Sequence, residues 1–78
     1  MIKTKQDFVG DFDLISSKVK SYFKQATIAD DDGIRADFGD KWVQIRKSNT
    51  EPIIRIIAEA TNKELAQDLI EQILYVIR

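Results

Sequence analysis

The chain contains no cysteine and no histidine, one proline, one tryptophan and three glycines. Without cysteine there is neither a disulfide framework nor a thiolate metal site. Without histidine, both the usual general base near neutral pH and the commonest metal ligand are missing. Neither sign of charge is in excess, since 12 Lys and Arg stand against 13 Asp and Glu for a net charge of −1. That balance offers no broad basic field to nucleic acid or anionic lipid, so any charge-based recognition has to be local. Long apolar runs are also lacking. None approaches the roughly eighteen residues that a membrane span requires, and Met1-Ile2-Lys3-Thr4-Lys5 does not lead into a signal-peptide core. The expectation is a soluble, cytoplasmic chain with no nucleic-acid or membrane partner.

What remains is ordinary for a folded domain. With 44% hydrophobic and 32% charged residues in 78, the chain suits one small globular unit and argues against disorder. There is no internal repeat and no low-complexity segment. Residues 1–10 carry no clear period and read as a tail or the remnant of a linker, with the domain proper spanning 11–78. From Asp11 the spacing becomes helical. Phe12, Ile15, Val19, Tyr22 and Phe23 fall three or four apart, while lysines gather toward the end, as the helix dipole favours. After Gln25 the period becomes two. Thr27 to Asp30 forms a short strand and Asp31-Asp32-Gly33 a turn. Ile34, Ala36 and Phe38 then alternate with Arg35 and Asp37. Gly39-Asp40 turns the chain into a strand over 42–46. A polar stretch, Lys47 to Pro52, precedes Ile53 to Ala60, which is apolar on both faces and so reads as a central strand. Asn62 is placed to cap a last helix whose stripe is Leu65, Ala66, Leu69, Ile70, Ile73, Leu74 and Ile77. The fold class is α+β, with about four mainly antiparallel strands and two helices on one face.

The informative stretch is Arg46-Lys47-Ser48-Asn49-Thr50-Glu51-Pro52-Ile53-Ile54-Arg55. Arginine offers a planar fork of donors that can grip phosphate oxygens bidentately. Here one arginine ends a strand and a second lies a few residues into the next. Between them sits a loop with two hydroxyls and an asparagine, and such a turn can aim successive N–H groups at an anion. Strand alternation puts Arg46 with Trp42 and Gln44, and Arg55 with Ile53, Ile57 and Glu59. If the two strands pair across the loop, the guanidinium groups meet at one end of the sheet. The alternative is a pair of surface arginines flanking a hydrophilic turn, and spacing alone leaves both open.

The run Arg46 to Pro52, with Arg55 and then Glu59-Ala60, resembles the signature of the last domain of the α-D-phosphohexomutase superfamily (phosphomannomutase, phosphoglucomutase and phosphoglucosamine mutase). Asp32-Gly33-Ile34-Arg35 and Trp42 to Arg46 resemble that family's lead into the loop. The resemblance covers about Leu14 to Ile77 and implies the small C-terminal fold likened to the TATA-box-binding protein. It further implies a domain that binds the phosphate of a hexose phosphate while a phosphoserine in another domain transfers the phosphoryl group. On that basis Arg46 and Arg55 are charged clamps, and Ser48, Asn49 and Thr50 are hydroxyl or backbone donors. Glu51 and Pro52 shape the loop. Lys47 stands where many members have proline, a position not expected to touch phosphate. No catalytic residue and no metal site falls in this chain, because the serine, magnesium and sugar-recognition loops belong to preceding domains. Magnesium is thus implied only for a full-length enzyme. The implied partners are a phosphorylated hexose and the N-terminal domains of the same enzyme, and the isolated domain is expected to be inactive.

Other features have plainer readings. Asp30-Asp31-Asp32-Gly33 lacks the alternation of a magnesium loop and reads as a turn. Trp42 reads as packing, and Phe12, Tyr22 and Phe23 as core. Ser16-Ser17 has no base partner. The competing function is a small α+β module for RNA or protein interaction, which wants exposed aromatics and basic surroundings on the sheet.

Overall fold

The computed structural model describes residues 1–8, 10–30, 33–48 and 50–77. Its order is β1 (Ile2–Asp7), α1 (Phe12–Tyr22), β2 (Thr27–Ala29), β3 (Ile34–Asp37), β4 (Trp42–Lys47), β5 (Ile53–Glu59) and α2 (Lys63–Val76). The sheet has five strands in the order β1-β5-β4-β3-β2, every neighbouring pair antiparallel.

Period-two patterning explains the layering. Ile34 and Ala36 on β3, Val43 and Ile45 on β4, and Ile54, Ile56 and Ala58 on β5 are all buried, while their neighbours along each strand are not. Because successive side chains point to opposite faces, one face of the sheet is apolar and has to be covered. Ile15, Val19 and Phe23 from α1 and its end, with Ala66, Leu69, Ile70 and Ile73 from α2, complete that core. The result is two layers: a sheet, and two helices on one side of it. Among the described residues, the opposite face carries no helix.

Both helices start where capping chemistry allows. The Asp11 side chain accepts from the Asp13 N–H at 2.9 Å, and Asn62 Oδ1 accepts from the Leu65 N–H at 2.9 Å. These bonds satisfy donors that the first helical turn leaves without partners. Two residues of the anticipated stripes lie at their margins. Tyr22 is 46% exposed and Leu65 36%. Tyr22 packs edge-on against Phe23, centroids 4.8 Å apart, at the rim of the core.

The β3–β4 hairpin turns at Gly39-Asp40 as anticipated. Phe38 N–H donates to the Lys41 carbonyl at 2.8 Å, and the Gly39 N–H donates to Asp37 Oδ1 at 2.8 Å. Gly39 has φ +97° and no described non-glycine residue has positive φ, so glycine takes the first central position, as a type II′ turn requires.

The chief correction concerns the amino terminus. Residues 2–7, read as a tail, form the fifth strand, antiparallel to β5 with Lys3 opposite Ile57 and Lys5 opposite Arg55. The sheet therefore has one strand more than expected, and β5 becomes interior on both sides. Only Ile2 in β1 is apolar, which left little periodic signal. Such a composition is what an outer strand carries, since lysines discourage pairing with a further chain.

Gly33, at φ +71°, lies against the backbone of β4. A Cβ there would collide with the Ile45 carbonyl and stand 3.3 Å from the Cα of Arg46. Both the conformation and the approach require glycine. Gly33→Ala should cost about 2 kcal/mol or more, read as a lowered urea midpoint. It should also shift the Arg46 amide resonance, because the displaced backbone is that of β4.

Candidate functional site: a row of cations beside the β4–β5 loop

The register of β4 against β5 sets Arg46 directly opposite Arg55. Opposite residues in an antiparallel pair share a face. That face is the open one, since Ile45, Ile54 and Ile56 point into the helix layer. The two strands do pair across the loop, which sets Arg46 and Arg55 side by side at one end of the sheet. Both arginines are exposed.

The loop between the strands is closed by backbone bonds. The Ser48 N–H donates to the Ile53 carbonyl at 3.1 Å, and the Ile53 N–H donates to the Glu51 carbonyl at 2.8 Å. The second is a three-residue turn centred on Pro52, whose fixed φ suits it and whose missing N–H is not called upon. A third bond reaches the loop from outside, Phe8 N–H to the Pro52 carbonyl at 2.8 Å. The end of β1 is thereby tied to the loop. Within it, Ser48 Oγ lies 3.4 Å from Thr50 Oγ1 and accepts from the Thr50 N–H at 3.4 Å. These are long contacts, and both hydroxyls remain able to turn toward a ligand. Asn49 lies outside the described residues, as do Asp31 and Asp32 of the anticipated turn. Glu51 and Pro52 are exposed and shape the loop through their carbonyls.

Above Arg46 and Arg55 the surface forms an open depression of about 450 Å³, lined by Lys3, Thr4, Lys5, Arg46, Lys47, Ser48, Arg55 and Ile57. Five of those eight side chains are cationic and none is acidic. Two of them, Lys3 and Lys5, were missed when their strand was taken for a tail. The signal was the alternation of Ile2 and Thr4 with Lys3 and Lys5, legible only once that segment is known to pair. Lys47 borders the depression as well.

Trp42 is on the open face with Arg46, as alternation placed it, half-buried, with the Arg35 guanidinium carbon 4.4 Å from its ring centroid. Arg35 is further held by Asp37 at 3.6 Å. Asp30 of the acidic turn pairs with Lys20 at 3.0 Å. Among the described residues no three acidic side chains stand together as a metal would need, and no helix is long and apolar enough to cross a membrane.

Arginine at 46 and 55 does nothing for the core, and like charges directly opposite one another destabilise a sheet. In urea titrations without phosphate, Arg55→Gln should leave stability unchanged or raise it by up to about 0.5 kcal/mol. A loss above about 1 kcal/mol would mean that Arg55 holds the fold together.

The family model described as the phosphoglucomutase/phosphomannomutase C-terminal domain matches residues 11–75. A phosphoglucomutase/phosphomannomutase of Thermococcus kodakarensis is 41% identical over 71 residues, covering 88% of this chain and 16% of that protein. A probable phosphoglucosamine mutase of Pyrococcus abyssi is 48% identical over 52 residues, 67% of this chain and 11% of the relative. A phosphomannomutase of Methanocaldococcus jannaschii is 34% identical over 65 residues, 83% and 14% respectively. The chain thus spans only about a sixth or less of the length of these relatives.

Proposed function

This chain belongs to the family of phosphoglucomutase/phosphomannomutase C-terminal domains, and we propose that it binds the phosphate of a hexose phosphate for an enzyme that interconverts hexose 6-phosphate and hexose 1-phosphate. The observation that carries this is the direct opposition of Arg46 and Arg55 on the open face of the sheet, beside a loop with two hydroxyls. A phosphate monoester needs cationic forks and neutral donors converging on a small volume. Arg46 and Arg55 supply the forks, Ser48 and Thr50 the hydroxyl and backbone donors, and Asn49 a further donor. Phosphoryl transfer depends chiefly on positioning and electrostatic stabilisation, so a domain can serve catalysis by orienting the substrate without touching the bond that breaks.

The nucleophile and the acid–base groups come from preceding domains, which act as partners, and the isolated chain does not isomerise sugars. The magnesium implied for the full-length enzyme is bound by those domains as well. The relatives bear the names of glucose, mannose and glucosamine phosphate mutases, and the sugar is selected outside this chain.

One observation speaks for an RNA-binding sheet instead, namely a basic open face that bears Trp42. Yet Arg35 lies over that ring, so a base stacking on that side would first have to displace a guanidinium. The family assignment favours the sugar phosphate.

Amide NMR titration with glucose 6-phosphate, inorganic phosphate and free glucose tests the proposal. Shifts between residues 46 and 55 should appear with both phosphate-bearing ligands and not with glucose. A dissociation constant of about 1 mM, about −4 kcal/mol, is expected where the sugar contacts of other domains are absent. No loop shifts at tens of millimolar would overturn binding by this chain. In a full-length mutase carrying this domain, Arg46→Ala should reduce kcat/KM by about 2 kcal/mol of transition-state binding or more. Unchanged turnover would remove Arg46 from the clamp.

A further inference from the structure

The cationic row does not stop at Arg46 and Arg55. Register places Lys5 of β1 directly opposite Arg55, so Lys5, Arg55 and Arg46 form one line across three adjacent strands. Lys3 stands one row along, opposite Ile57. Both lysines are exposed and both line the same depression as the arginines. We propose that β1 belongs to the anion site, with Lys5 supplying a third cationic contact to the phosphate and Lys3 a weaker, longer-range one. This rests on the phosphate-binding reading above. It extends the site to a strand that lies outside the residues matched by the family model, 11–75.

Three observations support it. The first is reach. Neighbouring strands lie about 4.8 Å apart, so an anion seated over Arg55, the middle of the row, has Lys5 and Arg46 one strand away on either side. The flexible stem of lysine can bring its ammonium across that gap. The second is attachment. The Phe8 N–H to Pro52 carbonyl bond, 2.8 Å, fixes the end of β1 to the loop that holds Ser48 and Thr50. Lysines and hydroxyls are therefore carried on one connected piece of backbone. The third is charge balance. Neither Lys3, Lys5 nor Arg55 has an ion-pair partner among the described residues; the ion pairs there are Lys20 with Asp30 and Arg35 with Asp37. The carboxylate on this face nearest by register, Asp7, stands opposite Ile53, on the loop side of Lys5.

Solubility of an edge strand would account for lysines anywhere along it. It does not account for one in line with two arginines that the register already brings together. An edge role also makes a different prediction, because it leaves anion affinity untouched.

The test uses the 78-residue chain and inorganic phosphate, with loop amide shifts reporting affinity and the Lys5 ε-CH2 resonance reporting contact. Lys5→Gln should weaken phosphate binding about fivefold. Lys63→Gln, the same change of net charge at the start of α2, should alter it by less than about 1.5-fold. In the unaltered chain the Lys5 ε-CH2 resonance should move along the same isotherm as the loop amides. Lys5→Gln binding as tightly as the unaltered chain, with loop shifts retained and the Lys5 resonance still, would overturn the role of β1 and leave the two-arginine clamp standing. Absence of any loop shift in the unaltered chain would overturn both. Equal weakening by Lys5→Gln and Lys63→Gln would also sink the proposal, since it would show a dependence on net charge alone.

Discussion

Pairing between β4 and β5 is the constraint on which the rest of the molecule depends. Val43 opposite Ala58 and Ile45 opposite Ile56 put four apolar side chains against the helices. Because the side-chain period in a strand is two, that same register leaves no freedom for the residues between them. Once Ile45 and Ile56 face inward, Arg46 and Arg55 face outward and oppose each other. A slip of one residue would bury a guanidinium and expose an isoleucine, which costs far more than a domain of this size can spare. Core formation and site formation are thus one event. The loop from Ser48 to Pro52 needs only to close the hairpin, and does so with two backbone bonds, one of them the turn at Pro52.

The open face bears the cost of this arrangement. A row of three cations across adjacent strands lies outside the core, and like charges side by side repel, an effect that water and salt only partly screen. Elsewhere the chain matches its charges locally, as Lys20 does with Asp30 and Arg35 with Asp37. The proposed phosphate ligand would bring negative charge to this row. A ligand that binds only the folded chain returns stability by mass action. At ten times its dissociation constant, that return is about 1.4 kcal/mol.

The sequence exposed the helices, the central strands and the two-arginine loop because each carries a strong local pattern. Asn62 before an apolar stripe, Ile34-Arg35-Ala36-Asp37 in strict alternation, and arginines at either end of a hydrophilic loop all survive into the structure. What it concealed was long-range. Ile2-Lys3-Thr4-Lys5-Gln6-Asp7 has a single apolar residue, so its pairing with β5 comes from backbone bonds to a strand some fifty positions away rather than from its own composition. Two cations of the candidate site vanished with it. Trp42, grouped with Arg46 and Gln44 by alternation, does lie on their face, opposite Glu59, where Arg35 covers it. The family resemblance carried the loop residues and nothing of β1.

These facts bear on how such a domain can work inside a larger enzyme. The phosphate clamp proposed above would gain from donors that are positioned but not locked. The scaffold here is rigid where it has to be. Arg46 and Arg55 sit on interior strands whose alternate residues are fully buried, so their Cα positions are fixed to the precision of the core. The hydroxyls are held loosely, by contacts of 3.4 Å, and can reorient toward an incoming anion at small cost. Lysines on the outer strand add charge at still lower order, through flexible stems on a strand paired along one side only. Precision therefore falls off from β4 and β5 outward, while positive charge does not. That gradient suits the proposed role, in which the face attracts an anion broadly, fixes it at two guanidinium forks, and leaves the choice of sugar to other domains.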